Sequence, residues 1–163
     1  MWSATLVFAC ALDLLGRSAT TFPPVQFVAH PPPGVSKFAQ GRALPDTGQI
    51  VLITSTEAFT QAQKDRCRDI DAIREIASVL VHEEWHVRHG PDEAGAYDAQ
   101  LIALLTTGAN IDGPLFHKVQ KAKLAVLAAA KRTTSVDVMA RQRPPDDSHD
   151  PDSAVVSLSV RRR

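Results

Sequence analysis

Residues 69–93 read DIDAIREIASVLVHEEWHVRHGPDE, and the rest of the chain is organised around them. Asp69 is suited to cap a helix, and after it Ile73, Ile76, Ala77 and Leu80 recur at intervals of three and four. That spacing is the apolar stripe of a helix docked on a core. Gly90 and Pro91 end this helix and permit an immediate restart, because Gly suits the residue after a helix and Pro the first residue of the next. Late in the helix stands His82-Glu83-Glu84-Trp85-His86, which has the form H-E-x-x-H. Residues four apart share one face a turn apart, so His82 and His86 can present two imidazoles to one metal ion. Glu83 sits beside that face, where its carboxylate can act as a general base on water activated by the metal. Glu84 lies about a hundred degrees further round and is assigned no chemistry, so its replacement by Gln is expected to be nearly silent.

His82 to His86, a short turn, then Glu93-Ala94-Gly95-Ala96 resembles the zincin metallopeptidases of gluzincin type, over roughly residues 70–108. In compact bacterial members of that superfamily a Glu in an E-x-x-A stretch of the following helix supplies the third ligand. The resemblance implies a small α+β, zincin-like domain, mostly helical, with a short β-sheet against the H-E-x-x-H helix. It further implies Zn2+ as cofactor, held by His82, His86 and Glu93, with Glu83 as general base in hydrolysis of a peptide or protein substrate.

The residues themselves leave the third ligand open among Glu93, Asp92 and His89. His89 is two turns beyond His82, roughly 10 Å along the axis, and competes only if the helix breaks before it. Asp92 partly fits the metzincin pattern H-E-x-x-H-x-x-G-x-x-H or D, but Gly90 falls one residue late for it. Glu93 has the longer side chain, and Ala94, Gly95 and Ala96 after it would permit close approach of the two helices. A carboxylate in a first turn is also favoured by the helix dipole without any metal. Tyr97, the only tyrosine, is one turn after Glu93 and either polarises a substrate carbonyl or simply packs; Gln100 has the same two readings.

A chain of 163 residues with 44% apolar content suits one domain with a real core. Lys plus Arg equals Asp plus Glu at 18 each, so no global field draws it to nucleic acid or anionic lipid, and no stretch reads as a membrane span. Oligomeric state is not legible. Cys10 and Cys67 fit neither a zinc-ribbon spacing nor C-x-x-C, leaving a disulfide, which needs an oxidising compartment, or two free thiols.

Residues 1–19 read as an N-terminal helix, with Val7, Cys10 and Leu14 at helical spacing, or as the remnant of an export signal, so a cytoplasmic and an exported protein both fit. Val25 to Ala29, bracketed by prolines, reads as an edge strand ending at a solvated His30, and Gln49 to Thr54 as the clearest strand. In zincins a strand beside the metal helix pairs its edge with extended substrate, and either of these two could do so. Glu57 to Lys64 reads as a helix capped by Ser55 or Thr56, and Pro114 to about Arg132 as the last helix. Residues 20–132 would form the catalytic domain and 133–163 a disordered tail, in which Val155 to Val160 could pair as a strand on binding. Two rival readings remain. One is a non-catalytic metal-binding module with a fourth protein ligand, and the other a helical interaction module in which H-E-x-x-H is accidental.

Overall fold

The computed structural model describes residues 3–141, with side chains through 132. Among these, five helices and a small mixed sheet give an α+β architecture in which helix predominates. The order is α1 (Ala4–Leu14), β1 (Val25–Val28), β2 (Gly41–Leu44), β3 (Gln49–Ile53), α2 (Glu57–Lys64), α3 (Ile70–His89), α4 (Glu93–Thr106) and α5 (Pro114–Arg141).

Helix α3 forms where the capping residue and the apolar stripe place it. The Asp69 carboxylate accepts from the Asp71 and Ala72 amides, satisfying two of the orphan donors of the first turn. Ile73, Ile76, Ala77 and Leu80 are buried against Val7 and Ala11 of α1, Phe59 and Ala62 of α2, and Ile50 and Leu52 of β3. Each such large side chain contributes about 1.5–3 kcal/mol by leaving water, and together they fix the rotation of α3 about its axis. The opposite end stops at Gly90, whose φ of 83° is costly for any residue with a Cβ. Thr56 caps α2 by accepting from the Phe59 amide.

The sheet has three strands in the order β1-β3-β2, β1 parallel and β2 antiparallel to β3. Strand β2 was not expected, because Gly41-Arg42-Ala43-Leu44 has little β propensity. It is made by closure of a hairpin: the Thr47 amide bonds the Leu44 carbonyl, the Gly48 amide bonds that of Pro45, and Gly48 takes φ 65°. A consequence corrects one expectation. Strand β3 is central, with both edges paired, and has no edge to offer a substrate. The edge beside α3 belongs to β2.

Two further points differ from what the sequence suggests. Glu84 is off the metal face but buried, where it accepts from Arg17 in the loop after α1 and, at 2.6 Å, from Arg88 one turn along α3. Glu84→Gln would leave both guanidinium groups short of a charge partner, so a cost in stability is expected of it, separate from the silence in hydrolysis expected of a residue off the histidine face. Helix α5 passes the expected end near Arg132 and continues to Arg141, since no Gly or Pro interrupts it before Pro144. The expectations for residues 142–163, Val155 to Val160 among them, lie outside the described residues.

Cys10 of α1 and Cys67, in the turn between α2 and α3, form a disulfide. It ties α1 to the start of α3, roughly 20 Å along the helix from His82. Because the bond spans 57 positions, replacing both cysteines by serine should lower stability by about 4 kcal/mol, measured by denaturant unfolding, with zinc affinity unchanged. An unaltered unfolding midpoint would show that the bond contributes nothing.

Candidate metal centre

Two helices build the site. His82 and His86 stand a turn apart on the face of α3 that the apolar stripe leaves toward α4, with their Nε2 atoms 3.2 Å apart. His86 Nδ1 lies 2.8 Å from the Gly90 carbonyl oxygen, which can only accept, so Nδ1 carries the proton and Nε2 keeps its lone pair. Across the turn, Glu93 in the first turn of α4 puts its carboxylate oxygens 3.7 Å from His82 Nε2 and 3.5 Å from His86 Nε2. One donor atom from each residue lies within 4.8 Å of the others, a group that could hold a metal ion. Ligands at 2.0–2.1 Å around a tetrahedral ion stand roughly 3.3 Å from one another, so the spacing needs only small adjustments to fit.

Close approach of the helices depends on Gly95. A Cβ there would lie 2.5 Å from Asp92 Oδ2 and 2.6 Å from the Trp85 ring. The competing ligands point elsewhere. His89 is exposed, stacks on Trp85 at 4.1 Å between centroids and bonds the Trp85 carbonyl, while the Asp92 carboxylate faces Gly95 and Trp85.

Burial sets the charges. His82 is driven down to about 4 chiefly by burial, then by the neighbouring His86, so it is neutral and ready to ligate at physiological pH. Glu83 is nearly buried and pushed up to about 7, with burial the main cause and the Glu93 charge adding to it. His86 and the Ala43 amide, which donates to the Glu83 carboxylate, oppose that rise. Tyr97 meets the His82 ring edge to face at 4.7 Å, and burial, then the charges of Glu93 and Glu83, raise the pKa of its hydroxyl. Tyr97 therefore sits at the site.

Strand β2 forms the other wall, and sequence reasoning missed it with the strand itself. A Cβ on Gly41 would lie 2.9 Å from Glu83 Cγ, so only glycine lets β2 come this close. The Ile53 amide bonds the Gln40 carbonyl, which makes 40 and 53 a hydrogen-bonded pair. Antiparallel pairs alternate, so the backbone groups of Gly41 and Ala43 point away from β3, toward an edge that no described strand covers. That edge borders a cleft of about 740 Å³ containing His82, Glu83, His86 and Glu93.

Comparison of the chain with protein-family models, characterised proteins and solved structures finds no match, which leaves its own geometry to speak for its chemistry.

Two outcomes follow from this arrangement. Were the cluster to hold zinc, Glu93→Gln should lose much more affinity in chelator competition than Asp92→Asn or His89→Gln, and a larger loss in Asp92→Asn would point to Asp92 as the third donor. The second concerns the metal-free protein. A carboxyl whose folded pKa is raised is stabilising below its unfolded value and loses that contribution as pH rises, here from 4.5 through about 7. Between pH 5 and pH 8, Glu83→Gln should gain stability relative to the parent by on the order of 3 kcal/mol, measured by denaturant unfolding in chelator. A pH-independent difference would show that Glu83 is not titrating in a buried place.

Proposed function

We propose that the chain is a zinc-dependent peptidase of compact gluzincin type, with His82, His86 and Glu93 as metal ligands and Glu83 as general base. The observation that carries this reading is the His82, His86 and Glu93 cluster, spaced for one tetrahedral ion, with a buried carboxyl at its side. A structural zinc site is closed by four protein ligands, and among the described residues this cluster contains three. That supports an open, catalytic position over a purely structural one. It also weighs against an accidental motif, since a helix held by packing alone would not need Glu93 turned to both histidines.

When bound, zinc supplies the Lewis acidity that makes water nucleophilic near neutral pH and polarises a carbonyl. The chain's own residues do the rest. Glu83 takes the proton of the attacking water and returns it to the leaving amine, and a carboxyl lifted to about 7 is suited to both transfers. Its position is set by Gly41 and by the Ala43 amide. An extended peptide would lie along β2, exchanging backbone hydrogen bonds with Gly41, donating to the Ala43 carbonyl and bringing its scissile bond over the two histidines. Tyr97 would donate to the carbonyl oxygen as it gains charge. The edge-strand role expected of β1 or β3 thus passes to β2.

Separation of binding from chemistry tests the proposal. Glu83→Gln should bind zinc as the parent does while its hydrolysis of a mixed peptide library falls by about 10²–10⁴. Hydrolysis at the parent rate would sink the mechanism. Tyr97→Phe should keep zinc and lose less, and activity retained in full would return Tyr97 to a packing role.

A further inference from the structure

Behind His82 runs a line of hydrogen bonds that the proposed chemistry does not use. It begins at the Glu75 carbonyl, which can only accept, so Ser78 Oγ at 2.8 Å donates its hydroxyl proton there. The Ser78 oxygen is then left to accept, and Gln100 Nε2 of α4 donates to it at 3.3 Å. Both side chains are buried, Ser78 at 1% and Gln100 at 6% exposure, so neither exchanges these partners for water. With its nitrogen committed, Gln100 has a carbonyl oxygen to offer, and the Ser78 that it meets stands one helical turn before His82 on the same face of α3.

His82 needs such a partner. Its Nε2 faces His86 and Glu93, so a neutral ring that ligates through Nε2 carries its proton on Nδ1. That Nδ1 is buried and, among the described residues, has no partner at hydrogen-bonding distance. An unpaired buried donor is costly, which favours the small movement that would give it an acceptor. His86 is already held this way, from its far nitrogen, by the Gly90 carbonyl.

We infer that Gln100 is the positioning residue for His82: its Oε1 accepts the Nδ1 proton and holds the imidazole in the tautomer whose Nε2 lone pair faces the metal position. Ser78 and the Glu75 carbonyl orient the carboxamide so that oxygen, not nitrogen, meets the ring. The line runs from a backbone carbonyl of α3 through α4 and back to α3, and each donor in it has one direction. The inference rests on His82 being a metal ligand, and the experiment separates the two ideas.

Nitrogen-15 NMR of histidine-labelled protein, stripped of metal and held near pH 7.5, reads the His82 tautomer directly. Chelator competition on the same samples reads zinc affinity. The parent should show His82 protonated on Nδ1. Gln100→Met keeps the volume and removes the acceptor, so it should mix the tautomers and weaken zinc about 10- to 100-fold. Gln100→Glu keeps an acceptor and should retain both the tautomer and the affinity within about threefold. The inference is overturned if the Met variant matches the parent in both measurements, or if the Glu variant loses as much as the Met variant. Should Gln100→Met fail to fold, the Glu variant and Ser78→Ala decide alone, the latter expected to shift the tautomer partway. If the parent binds no zinc, the metal reading fails, and the tautomer measurement still tests Gln100.

Discussion

The contact of Gly95 with the Trp85 ring, where α4 closes on α3, governs the face of this molecule that could hold a metal. Without a side chain at 95 the two helices lie close enough for Glu93 to reach both histidines at 3.5 and 3.7 Å. The same approach sets Tyr97 edge to face against His82 and brings Gln100 against Ser78. Glycine inside a helix costs about 1 kcal/mol relative to alanine, and here it sets the spacing on which every polar contact between the two helices depends. Gly41 does the equivalent on the other side of α3, where it lets β2 rest on Glu83.

Between these two glycines α3 is both the centre of the core and the bearer of the site. Its apolar stripe is packed against α1, α2 and β3, so the helix cannot roll, and its histidines stay aimed at α4. The adjacent glutamates show what that rigidity does to identical side chains. Glu84 is buried and turned to the exposed guanidinium groups of Arg17 and Arg88, and its pair with Arg17 anchors the loop after α1. Glu83, a hundred degrees away, meets one amide and a neighbouring histidine, and burial prevails over both in raising its pKa. Environment alone separates a structural carboxylate from one suited to move protons.

Polarity along the site is equally constrained. The Gly90 carbonyl behind His86 is a pure acceptor, as is the Glu75 carbonyl at the start of the line through Ser78 to Gln100. Because the turn after α3 supplies the Gly90 carbonyl, the tautomer of His86 is tied to the helix stop at Gly90. Among the described residues no helix is long and apolar enough to cross a membrane.

Much of the site was legible in local sequence because its causes are local. Asp69 as cap, Gly90 as stop, the three-and-four apolar repeat and the four-residue separation of the histidines all act within a few turns of one chain segment. The opening of α4 at Glu93, with small residues after it, belongs to the same class. What required the tertiary structure depends on partners far away in the chain. Strand β2 has weak intrinsic preference and exists because the hairpin pairs it with β3, so its amide at Ala43 and its bare Gly41 could not be read from residues 41–44. Glu84 looks like a surface residue until Arg17, 67 positions earlier, folds over it. Cys10 and Cys67 become a pair only when α1 packs beside the start of α3. Helix propensity and spacing are written in adjacent residues, whereas burial, strand pairing and the choice of hydrogen-bond partner are settled by whichever distant segment packing brings alongside.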